Sequence, residues 1–125
     1  MSSPLSSIPS ALSGPALPDG LVVFVKRSCP TCELIEDLIR EVVARVDGVR
    51  VVSQDDPAFP RGVPGVIDDR GLDLSWLSGI EAMPTLLRID NGQEAERVVG
   101  WDRAAWQRLT GIAGLGGHLP PLRPG

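Results

Sequence analysis

Residues 21–26, L-V-V-F-V-K, form a short, nearly unbroken apolar run rich in β-branched residues, and six positions later the apolar period becomes helical. The first pattern is that of a strand buried on both faces. The second runs through Leu34, Ile35, Leu38, Ile39, Val42, Val43 and Val46, with Glu36/Arg40 and Glu41/Arg45 paired at i,i+4 on other faces. Gly48 supplies a stop for this helix, and V-R-V-V-S-Q (49–54) reads as a second strand. A crossover of that length joins parallel strands with right-handed chirality, so the first half predicts a β-α-β unit and an α/β fold.

The second half changes character. Residues 55–71, D-D-P-A-F-P-R-G-V-P-G-V-I-D-D-R-G, are turn-rich and predict an extended loop. L-D-L-S-W-L-S-G (72–79) fits a short helix. P-T-L-L-R-I-D (84–90) and E-R-V-V-G (96–100) flank Asn91-Gly92, the signature of a hairpin turn. A last helix is expected from Asp102 as N-cap, burying Ala105, Trp106 and Leu109 before Gly111. No internal repeat is present. The expected organisation is a disordered lead-in over 1–19, one domain over 20–113, and a flexible tail over 114–125 that adds little to the core.

Composition narrows the function. With 42% apolar and 22% charged residues, the 125-residue chain has the make-up of one compact domain. A net charge of −4 argues against a nucleic-acid or anionic-membrane partner, both of which require a basic surface. The lead-in lacks the unbroken apolar stretch of a signal peptide, and no segment reaches the roughly 20 apolar residues that span a bilayer. The expected location is therefore the cytoplasm, as a monomer.

Both cysteines, Cys29 and Cys32, lie in K-R-S-C-P-T-C-E (26–33). A bridge closing a two-residue gap restricts the unfolded chain very little, so a structural staple is a poor explanation. In a reducing compartment such a pair is catalytic or metal-binding. Zinc needs about four ligands, and the only histidine, His118, lies in the tail, so the expectation is no metal and no bound cofactor. At a strand-to-helix junction, free backbone N–H groups and the helix dipole favour a thiolate, which predicts a lowered pKa for Cys29 and makes it the nucleophile. Cys32, one helical turn further in, is expected to be more buried and to resolve a mixed disulfide. Pro30 suits the first turn, where its missing N–H is not needed.

C-P-T-C and A-M-P-T-L-L-R-I-D-N-G-Q-E-A-E-R-V-V-G together make the chain, over about residues 20–112, similar to the thioredoxin superfamily. The resemblance implies a thioredoxin-like α/β fold with a central mixed four-stranded sheet flanked by helices. It also implies that Pro84 is a cis-proline facing the redox pair, that the backbone of Met83 pairs with a substrate chain, and that Gly100 closes the same groove. The substrate-binding residues expected on this basis are Lys26, Pro30, Thr31, Met83, Pro84, Gly100 and Trp101.

The chain also departs from that family. Thioredoxins usually carry W-C-G-P-C, whereas S-C-P-T-C is more like glutaredoxins, which often carry a lysine where Lys26 stands. Val23 occupies the position of the buried aspartate of thioredoxins, and G-W-D (100–102) only loosely resembles a glutathione-binding Gly-Gly-x-Asp. A bulky Trp101 in the groove would favour a thioredoxin-reductase-type flavoenzyme or a protein dithiol over glutathione as electron donor. The implied function is a thiol-disulfide oxidoreductase that reduces protein or small-molecule disulfides. The alternative is a thioredoxin-fold binding or redox-sensing module of a larger protein, without general turnover.

Overall fold

The computed structural model describes residues 17–125, so most of the expected lead-in lies outside the described residues. The apolar run forms β1 (Gly20–Val25), in which Val22, Val23, Phe24 and Val25 have no accessible surface. Such complete burial explains why the run lacks alternation. The predicted single helix is two: α1 (Pro30–Leu34) and α2 (Glu36–Arg45), joined at Ile35, whose backbone leaves the helical region at φ −101°, ψ 13°. Neither glycine nor proline stands at this break, and nothing in the local sequence accounts for it. Helix α2 buries Leu38, Ile39 and Val42, in keeping with the predicted apolar stripe.

Strand β2 (Arg50–Ser53) runs parallel to β1, with Val23 opposite Val51. Two later strands extend the sheet on the other side of β1: β4 (Thr85–Asp90) is antiparallel to β1, and β5 (Gln93–Val99) is antiparallel to β4. Asn91 and Gly92 turn the hairpin with φ of 54° and 76°, the left-handed conformations a two-residue hairpin demands. Asp19 secures the turn from outside, its carboxylate accepting the amides of Asn91 and Gly92 at 3.1 and 2.9 Å.

The sheet has five strands rather than four, since Ile67–Asp68 forms β3, and their order is β3-β2-β1-β4-β5. The additional β3 lies in the predicted loop and pairs parallel with Val52 and Ser53. Two residues are too few to show any period, so the sequence pattern cannot reveal such a strand. Just beyond it, the buried Asp69 accepts Leu74 N, Ser75 N and Ser75 Oγ, starting α3 (Asp73–Leu77). The last helix, α4 (Arg103–Thr110), begins as predicted with Asp102 accepting Ala105 N at 3.2 Å. Trp106 and Leu109 are buried, and Gly111 ends the helix at φ 72°.

The segment after Gly114 overturns the expectation that it adds little to the core. Leu115 is buried, and Gln107 Nε2 donates to its carbonyl at 3.0 Å. A Cβ on Gly116 would overlap the Trp101 indole, so glycine is required for this approach. Beyond it, β7 (Leu122–Arg123) pairs antiparallel with β6 (Trp101–Asp102). The indole N–H of Trp101 donates to Pro120 O at 2.7 Å. A buried tryptophan needs a partner for that donor, and the final segment supplies it.

Candidate functional site

Cys29 is the N-cap of α1, with φ −88° and ψ 120°, and Pro30 occupies the first helical turn. Its sulfur accepts the Cys32 amide at 3.4 Å, and its own amide donates to Lys26 O at 3.1 Å, closing the turn that leaves β1. Just before the neighbouring strand β4, the carbonyl of Met83 accepts the Cys29 thiol at 3.2 Å. Cys29 is half-buried and Cys32 fully buried, both as free thiols. Burial pushes the Cys32 thiol far above the ordinary thiol range, and its neighbour Cys29 raises it further.

An open cleft of about 380 Å³ lies over Cys29, with Lys26, Ser28, Pro30, Gln54 and Met83 in its walls. Asp55, at the end of β2, fastens the near wall: its two carboxylate oxygens accept Arg27 N at 2.7 Å and Ser28 N at 3.1 Å. Arg27 in turn forms an ion pair with Asp56 at 2.9 Å. Thr31 is buried, and its hydroxyl donates to Pro124 O at 2.6 Å. The Met83–Pro84 peptide is cis, as is Phe59–Pro60. Gly100 N donates to Pro84 O at 2.7 Å, so Gly100 is held directly beside the Met83–Pro84 peptide.

The structure therefore brings together Lys26, Cys29, Pro30, Thr31, Cys32, Met83, Pro84 and Gly100, but not Trp101. That side chain has no accessible surface and packs against Trp106 with ring centroids 5.4 Å apart. It stands in the core and offers nothing to a ligand, so the steric reason for excluding glutathione lapses. Period and spacing cannot separate a tryptophan that lines a groove from one that lies beneath it. Trp76 is the converse case, 83% exposed on α3. Val23, in place of an acid, is part of the apolar core, with no accessible surface.

Sequence reasoning missed Gln54, Asp55 and residues 121–125. A signal existed for Asp55, because parallel strands of an α/β sheet deliver their C-terminal ends to one edge. Asp55 follows β2 there as Cys29 follows β1. Residues 121–125 gave no signal; a Pro/Gly-rich segment reads as turn or linker wherever it docks. Among the described residues, no three His, Cys, Asp or Glu side chains gather as a metal site.

No protein-family model and no curated protein matches the sequence. Solved structures do resemble it. A chain assigned as the thiol:disulfide interchange protein DsbE from Chlorobium tepidum is 25% identical, with a TM-score of 0.56 over 81% of this chain and 82% of that one. The reduced thioredoxin pre-protein of Schistosoma mansoni is 23% identical, with a TM-score of 0.53 over 87% and 89% of the two chains. The chain has a thioredoxin-like fold.

Proposed function

We propose that Cys29 and Cys32 form a thiol-disulfide exchange centre that reduces protein or small-molecule disulfides. The asymmetry of the pair carries this reading: Cys29 borders an open cleft, while Cys32 lies one helical turn behind it with no accessible surface. The likeness to a chain assigned as a thiol:disulfide interchange protein supports the same chemistry.

In the exchange, the Cys29 thiolate attacks one sulfur of the substrate disulfide. A new S–S bond forms, the substrate bond breaks, and the departing sulfur leaves as a thiolate that takes up a proton. Cys32 stays protonated through this step, because burial and the neighbouring Cys29 both disfavour its thiolate. Once Cys29 is held in the mixed disulfide, its share of that penalty is gone. Cys32 then gives up its proton and attacks Cys29 Sγ, releasing the second substrate thiol. Two electrons and two protons have passed to the substrate, and the pair has become a disulfide. A reductase or a dithiol donor returns it to the reduced state.

Asp55 keeps the turn before Cys29 in place, and the exposed Lys26 puts a positive charge on the cleft wall. In a reducing cytoplasm, the compartment expected from the sequence, electrons flow from the pair to the substrate. The test is turnover of a chromogenic disulfide together with the reduction potential of the pair. Catalytic turnover that vanishes in Cys29→Ser supports the exchange centre. Stoichiometric binding of disulfide proteins without turnover would instead mark the chain as a redox-sensing or binding module.

A further inference from the structure

The cleft beside Cys29 is bordered by a segment that the exchange chemistry does not use. Arg103 N donates to Pro121 O at 3.0 Å, Leu122 and Arg123 pair with Asp102 and Trp101, and the Thr31 hydroxyl holds Pro124 O. Gly125 then lies so close to the Met83 peptide that a Cβ there would overlap the Met83 carbonyl. This is the carbonyl that accepts the Cys29 thiol. Gly100 makes the approach possible, since a Cβ on it would stand 3.0 Å from Arg123 O and 3.3 Å from Gly125 N.

The attachment runs mainly through the backbone. Residues 121–125 are exposed, Leu122 at 67%, so little apolar burial opposes their release, and such segments open at low free energy. We propose that residues 121–125 are a strap lying in the groove that an extended polypeptide substrate would occupy. A disulfide-bearing chain must displace the strap before its sulfur reaches Cys29, whereas a small disulfide can enter through the open side of the cleft. Being tethered, the strap competes at a high effective concentration. The strap's effect on substrates rests on the exchange reading, whereas its seat against Met83 does not.

The test uses the full chain and its Gly125→Val variant, in which the new Cβ collides with Met83 and expels the strap tip. One probe is a cysteine peptide in mixed disulfide with nitrothiobenzoate, and the other is the symmetric nitrothiobenzoate disulfide. Chromophore release is followed with each reduced protein. The variant is expected to raise the rate for the peptide relative to the small disulfide by about tenfold, the removal of a tethered competitor. A synthetic peptide of residues 119–125 should reverse that gain, and its dye-labelled form should bind the variant but not the parent by fluorescence anisotropy. An unchanged rate ratio, or equal binding of the labelled peptide to both proteins, overturns the strap. If neither protein releases chromophore, the exchange reading fails and the anisotropy comparison alone decides the strap.

Discussion

The thiol of Cys29 donates to the backbone carbonyl of Met83 at 3.2 Å, although the two residues are 54 positions apart in sequence. The contact joins the ends of two neighbouring strands. Cys29 follows β1, Met83 precedes β4, and antiparallel pairing of Phe24 with Thr85 sets both at the same edge. Any group that attacks through Cys29 does so beside a fixed peptide unit.

The unequal burial of the two thiols predicts unequal chemistry. Iodoacetamide at neutral pH should label Cys29 and leave Cys32 unlabelled in the folded, reduced protein. Cys32→Ser should trap mixed disulfides with substrates, because the resolving attack is lost, and Cys29→Ser should abolish both turnover and trapping. Mass mapping of the labelled peptide checks the first expectation. Faster labelling of Cys32 would reverse the two roles.

Alkaline pH should weaken the reduced protein. Cys32 keeps its proton in the folded state, while in the unfolded chain it ionises near the ordinary value of 9.0. Above that pH the unfolded state binds fewer protons, so stability falls with rising pH, by up to about 1.4 kcal/mol per unit. With no tyrosine and a single lysine in the chain, few other groups titrate in this range. Urea midpoints measured under reducing conditions at pH 8 and 10 test it, and Cys32→Ala should flatten the decline.

Acid should act through Glu36. Its side chain is only 10% exposed and accepts Arg61 Nη2 at 3.0 Å, Arg61 Nε at 3.2 Å and Arg61 N at 2.9 Å. The side-chain hydrogen bonds from Arg61 hold its carboxyl below the usual 4.5. The unfolded state therefore takes up a proton first as the pH falls, and the stability present above pH 4.5 is lost through the lower folded value. Glu36→Gln should cost about 1–3 kcal/mol at neutral pH and remove that part of the acid dependence. Denaturation curves of both proteins between neutral pH and pH 3 decide it.

Asp55 should act as a positioning residue. Asp55→Ala leaves the exposed amides of Arg27 and Ser28 to water, with an expected loss of about 0.5–1.5 kcal/mol. Those two amides should also lose hydrogen-exchange protection ahead of the β1 amides. Unchanged protection at Arg27 and Ser28 would show that the turn holds itself.

The sequence by itself determined the elements with a period and the positions where backbone chemistry is restrictive. The unbroken apolar run of β1, the stripe of α2, the Asn91-Gly92 hairpin and the Asp102 cap were legible because each is a local pattern with a local cause. The Cys29/Cys32 pair was legible for the same reason, as a strand-to-helix junction carrying two thiols one turn apart. Tertiary structure alone decided what depends on approach between distant segments. It set Trp101 beneath the groove rather than in it, brought Asp55 under the turn before Cys29, and laid Pro124 and Gly125 against Thr31 and Met83. These contacts leave no periodic trace, since a proline-rich segment or a lone aspartate has the same composition wherever it packs, and only the assembled sheet supplies its partner.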